Sequence, residues 1–210
     1  MTGAALALAA LLPLAGSAHA LPRQLPPLEQ CSGDRGFTQF RNRLKQVVAR
    51  KDRAALLAML APDVLVNFGG STGRGEFAKA WSFDPSEYGN VWNQLQTMLK
   101  MGCARDGGSR IIPSLSMQVD ENSDEDWVVV TPPGAMIFKW VGNEIDYSEV
   151  RMWTVATVTS RVSDTMTGVK LPDGRDGSIS DDLLYEPTGY RMIIEKRRGR
   201  WMITAFVAGD

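Results

Sequence analysis

Residues 37–68, FTQFRNRLKQVVARKDRAALLAMLAPDVLVNF, change their apolar pattern twice within one stretch. Phe37, Phe40, Leu44, Val47 and Val48 recur at helical spacing, with Arg41, Arg43, Lys45 and Arg50 off that face. This predicts an amphipathic helix starting near Phe37. Asp52 is placed to cap a second, short helix carrying Leu56, Leu57, Met59 and Leu60, which Pro62 ends. Val64–Phe68 then reads as a strand, stopped by Gly69-Gly70. A chain that runs helix, short helix, strand is building a layered α+β domain.

Working toward the C-terminus, Gly75 to Trp81 predicts a short helical turn. Asp84-Pro85 opens a further helix, with Pro85 near its first position. Tyr88, Val91, Trp92, Leu95, Met98 and Leu99 form its apolar stripe, and Gly102 stops it. Past Cys103 the pattern turns to strands: Ile111–Val119, Trp127–Thr131, Ala135–Trp140, Val150–Val162, Gly168–Leu171 and a short one at Gly177–Ile179. Tyr190–Lys196 and Trp201–Val207 flank Arg197-Arg198-Gly199-Arg200 as a hairpin. Helices first and strands later predict α+β, and no internal repeat is evident.

Working toward the N-terminus, Met1 to Ala20 is small and apolar and ends Ala18-His19-Ala20. The run Ala4–Ala15, interrupted by Pro13, is shorter than the roughly 20 residues that span a bilayer. The stretch reads as a secretory signal peptide, removed on export, and the expected location is periplasmic or secreted. Its n-region has no Lys or Arg, which leaves open a start further upstream. Cleavage would remove His19, the only histidine, and with it any histidine base or histidine metal ligand. Residues 21–32 hold Pro22, Pro26 and Pro27 and read as an extended leader. Leu28-Glu29-Gln30 before Cys31 does not suit a lipidation site, so no stable membrane anchor is expected after cleavage. Cys31 and Cys103 are an even pair in an oxidising compartment and predict a disulfide. With no C-x-x-C spacing its role is structural, and antiparallel packing of the two long helices would bring the cysteines together. The composition, 44% hydrophobic and 22% charged with net charge −1, is that of a folded protein. It favours neither nucleic acid nor an anionic membrane surface as a partner.

The phrase Asp52…Ala55-Leu56…Leu60…Pro62-Asp63-Val64, with the closing Gly199-Arg200-Trp201…Phe206, resembles the nuclear-transport-factor-like cone fold shared by ketosteroid isomerases and polyketide cyclases. The resemblance covers about 33–120 and 188–210. It implies N-terminal helices packed on a curved, mainly antiparallel sheet. The stretch Leu171-Pro172-Asp173-Gly174-Arg175-Asp176-Gly177, with Ile179 and Leu183, resembles the end of a bacterial Src-homology-like small barrel. Met166-Thr167-Gly168 stands where that barrel's tryptophan strand begins, and Ser178 where its aromatic sits. The expected organisation is therefore a signal peptide (1–20), a leader (21–32), a cone-like domain (33–125 and 187–210) and an inserted β-rich segment (126–186). The insert is a small barrel or, alternatively, a decorated meander of the same cone. The whole is also similar to exported bacterial proteins without an assigned activity.

The resemblance implies an apolar pocket holding a carboxylate base and acidic donors, for which Asp63, Tyr88 and Tyr190 are the residues of the right type. Nothing in the sequence brings them together. The glycine-rich run from Asn67 to Gly75 lacks the Gly-Lys-Ser/Thr ending of a phosphate loop and reads as a connection, with Arg74 its one cation. Asp120–Asp126 fails as a calcium loop, because Glu125 and Thr131 stand where Gly and an acid are needed. The basic Lys196–Arg200 run is a hairpin tip. Trp81 and Trp92 flank the helix that closes one side of the cone and are the expected pocket lining. The ligand-binding candidates are thus Arg74, Trp81 and Trp92, with no catalytic residue, metal or cofactor implied. The expected function is non-catalytic binding of a small ligand, envelope component or protein, with a homodimer left open. A carboxylate-based lyase or isomerase and a structural envelope factor are the alternatives.

Overall fold

The computed structural model describes residues 23–118 and 126–209. The signal segment with His19, and the acidic run as far as Glu125, lie outside the described residues. Helix α1 (Arg35–Arg50) starts where Asp34 accepts from the Phe37 N–H at 3.0 Å, which holds its carboxyl below the usual range. It ends at Lys51, whose left-handed backbone (φ 55°) sends its N–H to the Val47 and Val48 carbonyls. Asp52 caps α2 (Arg53–Met59) by accepting from the Ala55 N–H at 2.9 Å. Strand β1 (Leu60–Leu65) follows directly, so it begins earlier than the predicted Val64. Pro62 falls inside it, at an irregularity between Leu60 and Leu65 on a sheet edge, where a missing N–H costs no ladder bond.

Helix α3 spans Arg74–Ala80. Helix α4 is Val91–Met98, not a helix opening at Pro85. Asp84 turns the chain locally by accepting from the Ser86 N–H and hydroxyl, Gly89 adopts φ +69°, and buried Asn90 accepts from the Trp92 and Asn93 N–H groups as the true cap. Tyr88 is consequently on no helical stripe and is 81% exposed.

Five strands, β2 (Ala104–Asp106), β3 (Ser109–Ile112), β11 (Arg191–Arg197), β12 (Arg200–Val207) and β1, form one sheet in the order β1-β12-β11-β3-β2. Only the β1·β12 pair is parallel. The predicted strand Ile111–Val119 stops at Ile112, and Pro113 leads into a 3₁₀ turn, Ser114–Met117. In β12 an extra residue, Thr204, sits opposite the Ile193–Ile194 step. This bulge lets Ile203 and Phe206 point to one side, beneath the helices, and bends the strand. Phe37, Leu44, Leu56, Leu95, Met192 and Phe206 are among the buried residues that fill this core. The chain is α+β, with its helices laid over a mainly antiparallel sheet in the cone-like arrangement expected.

The second sheet has seven antiparallel strands in the order β10-β4-β7-β8-β9-β5-β6. These are β4 (Trp127–Val130), β5 (Ala135–Val141), β6 (Glu144–Val150), β7 (Val155–Ser163), β8 (Met166–Lys170), β9 (Asp176–Ser180) and β10 (Leu184–Tyr185). Val128, Val130, Ile137, Val150, Val169 and Ile179 gather on one face around a second core. Among the described residues no ladder joins β6 to β10, so the expected barrel is an open sheet rolled on its own core. The predicted Val150–Val162 strand is two strands, separated by a turn in which Trp153 adopts φ 67°.

Cys31 and Cys103 form the predicted disulfide, with Cα atoms 5.8 Å apart and a sequence separation of 72. It joins the start of α1 to the end of α4. Loop-closure entropy over that span corresponds to on the order of 4 kcal/mol. The leader beside it is an extended strap. Leu25 donates to the Trp153 carbonyl, and Val155 to the Arg23 carbonyl, at the second sheet. Cys103 donates to the Leu28 carbonyl, and Gln30 to the Cys103 carbonyl, at the first. Gly102 (φ +71°) is required there, since a Cβ would run into the Leu28 carbonyl oxygen. Among the described residues no helix is long and apolar enough to cross a membrane.

Candidate functional site

The acid–base trio implied by the cone resemblance does not assemble. Asp63 is exposed on β1, Tyr88 is exposed in its turn, and Tyr190 stacks on Phe206 at 5.5 Å between ring centroids. The one deeply buried tyrosine hydroxyl, that of Tyr185, has the Ser116 side chain as its polar neighbour, and burial pushes its pKa far up. The charge it feels is that of Arg191, not of a carboxylate that could act as a base beside it. A base needs hydrogen-bond reach to its proton and a cavity to hold the substrate.

The three predicted binding residues do not come together in one site. Arg74 donates Nε and Nη2 to the Leu60 carbonyl at 3.0 and 2.7 Å, so it ties α3 to the α2–β1 junction. The loop before it is a small return in which Val66 donates to Ser71 O and Gly73 to Val64 O, as a connection would be. Trp81 packs edge-on against Phe206 (5.1 Å) and Tyr190 (4.7 Å). Trp92, 2% exposed, donates its indole N–H to the Phe83 carbonyl at 3.0 Å. Phe77 and Phe83 link the two tryptophans in a chain of ring contacts at 5.6–6.4 Å. Trp81 and Trp92 therefore share one aromatic network, most of it in the filled core, although Trp92 also lines a groove between α1 and α4. Arg74 stands apart from that network.

The structure offers instead a groove on the second sheet, on the face opposite that sheet's own core. Register pairs align Ser160, Gly168, Ser178, Phe138 and Tyr147 across β7, β8, β9, β5 and β6. Cross-strand partners share a face, so the row runs from small residues to aromatics. Gly168 and Ser178 make a floor with almost no side chain above it. Phe138 and Trp140 wall one side, Val162 the other, and the space is about 570 Å³. Trp140 is 63% and Tyr147 59% exposed, with Met136 and Ile145 beside them on the same face. Hydroxyls of Thr159, Ser160 and Ser178 line it, and Lys139 pairs with Asp176 at 2.7 Å at its end. A Cβ on Gly168 would fall on the Ser160 hydroxyl, so the glycine keeps the floor low.

Sequence reasoning placed Trp140 at the end of a strand and left Tyr147 out of any element. A signal was present: Ala135–Trp140 is apolar at nearly every position, on both faces of a strand expected to bury one. Glu144–Val150 reads as polar, which hid β6 and with it the second half of the patch.

No known family profile matches the chain, and no curated protein matches it. Among solved structures, it is similar to a protein named Rd1NTF2_05, a variant with five substitutions in its name, at 12% identity and a TM-score of 0.29 over 82% of this chain and 96% of that one. A chain described as a calcium/calmodulin dependent protein kinase II association domain from Xanthomonas campestris is similar at 10% identity, TM-score 0.31, over 90% and 97%. A protein with a cystatin-like fold from Nostoc punctiforme is similar at 14% identity, TM-score 0.25, over 87% and 94%. At these scores the likenesses carry no argument about function.

Proposed function

We propose that this chain is an exported, non-catalytic binding protein that holds a sugar chain of the cell envelope in the groove of its second sheet. In this reading residues 1–20 direct export, 33–125 and 187–210 form the supporting cone, and 126–186 is the binding insert. The observation that carries it is the Phe138–Trp140 wall beside a floor of Gly168 and Ser178, with exposed Tyr147 extending the same apolar face next to Phe138. Aromatic rings with one wet side offer an apolar platform to the C–H face of a sugar, and the hydroxyls of Thr159, Ser160 and Ser178 match its polar edge. Exposed apolar clusters of this kind mark ligand or partner sites. The disulfide fits an oxidising compartment outside the cytoplasm. The lyase or isomerase alternative has no observation in its favour, since its carboxylate and tyrosines lie apart.

The test is co-sedimentation of the purified mature protein with purified insoluble envelope glycan. The Trp140→Ala/Tyr147→Ala double variant serves as comparison, with its fold checked by circular dichroism. The wild type is expected in the pellet and the variant in the supernatant. Wild-type protein left in the supernatant, or equal retention of both, overturns the reading.

A further inference from the structure

A second groove, sharing no lining residue with the first, lies between α1 and α4. Arg41, Lys45 and Val48, at i, i+4 and i+7, line it from α1. Trp92, Gln96 and Leu99 line it from α4, and the disulfide-tied strap closes one end at Pro27 and Glu29. It encloses about 730 Å³, within the range of small-molecule sites. Its chemistry is two-sided. Val48, Trp92 and Leu99 give it an apolar floor, while Arg41, Lys45, Lys51 and Lys100 rim it with positive charge. Glu29 is the one acid in the lining, and it is already paired with Arg41 at 2.5 Å. Among the described residues, Lys45, Lys51 and Lys100 have no carboxylate within ion-pair distance, and the buried Nε of Arg41 has no acceptor.

A protein of net charge −1 does not concentrate four cations around an apolar floor by average composition. The charge excess selects an anion, and the floor selects one with an apolar body. We infer that the α1–α4 groove binds a small amphiphilic monoanion of the medium-chain carboxylate type, its tail against Val48, Trp92 and Leu99 and its head among Lys45, Lys51 and Lys100. The site is separate from the sheet groove and stands whether or not that groove takes a sugar chain.

Isothermal titration of the mature protein at low salt, with octanoate and with octylammonium, tests it. Octanoate is expected to bind at one site and octylammonium not to bind. Lys45→Glu/Lys100→Glu, both exposed positions, should weaken octanoate at least tenfold, and Trp140→Ala should leave it unchanged. If the charge-reversed variant does not fold, Lys45→Gln/Lys100→Gln replaces it, with at least a threefold loss expected. No heat with octanoate, equal binding of the cation, or an unaltered affinity in the lysine variant overturns the proposal. So does loss of octanoate binding in Trp140→Ala, which would put the anion in the sheet groove.

Discussion

One face of the seven-stranded sheet has two halves with opposite fates. At the β4–β7–β10 end, Trp127, Val129, Val155 and Tyr185 press into the helix-backed core and are no more than 7% exposed. At the β5–β6 end of the same face, Met136, Trp140 and Tyr147 stand 40–63% exposed. Ladder register places both sets on one side of one sheet, so strand alternation treats them alike. The difference lies in what covers them: the strap, which bonds to Trp153 and Val155, and the helix-backed core at one end, solvent at the other. Covering a large apolar side chain stabilises by about 1.5–3 kcal/mol, and the β5–β6 end forgoes that. A face that stays apolar without that gain is best explained by what it meets outside the chain.

The covered half should be the expensive one to disturb. Phe206 is fully buried and touches Phe77, Trp81 and Tyr190. Phe206→Ala is expected to cost about 3–5 kcal/mol in urea denaturation. A loss under 1 kcal/mol would show that the helix-backed core is not filled, and would erase the contrast. The next effect is that of the disulfide. Replacing both cysteines by serine should cost about 2–4 kcal/mol. Hydrogen exchange should quicken first at Leu25, Leu28 and Gln30, whose N–H groups hold the strap. Unchanged exchange there would mean that the strap, and the cover it gives the Trp127 end, owes nothing to the cross-link.

How far this division was legible in sequence depended on whether the deciding signal was local. Helices α1 and α2 and the β11–β12 hairpin were legible because periodicity, Asp52 as a cap, and the Arg198-Gly199 turn (φ 52° and 80°) all act within a few residues. The Cys31–Cys103 pairing was legible because only two cysteines exist. The start of α4 was not, since Pro85 offers a good first position and the winning choice rested on Asn90 having buried acceptor and donor partners in the fold. Arg74 shows the same limit at the site: its type suggested an anion, but the Leu60 carbonyl it serves is fourteen residues away. The sheet groove was least legible, because its row of five residues comes from five strands and exists only once their order is known. Strand β9 lies between β8 and β5, a neighbour relation that no local pattern encodes.

That non-local order can itself be stressed. Gly177 sits in β9 where a Cβ would lie 2.9 Å from the Phe138 carbonyl oxygen and 3.3 Å from the Ile137 Cβ. Both neighbours are on β5 and one is backbone, so the strands must part to admit a methyl group. Gly177→Ala is expected to cost about 1–3 kcal/mol, with near-ultraviolet circular dichroism reporting altered packing around Phe138 and Trp140. A neutral result would mean that the β5–β9 contact is looser than the groove requires.

The smallest expected effect on stability bears most on the contrast. Trp140→Ala and Tyr147→Ala remove the two most exposed aromatic rings of the patch. Each ring is more than half in water already, and the ring contact recorded in the patch, Phe138 with Tyr147 at 6.4 Å between centroids, is a tilted one. Truncation therefore removes little buried area and opens no cavity, which keeps the expected change within about 0.5 kcal/mol. Set against the cost of Phe206→Ala, that difference measures how unequally the chain invests in its aromatic residues for folding. A loss above 1 kcal/mol for either variant would make the rings part of the scaffold, and the exposed half of the face would then need no ligand to explain it. A near-zero loss, measured by urea denaturation on the same preparations used for glycan sedimentation, would leave binding as the role these rings serve.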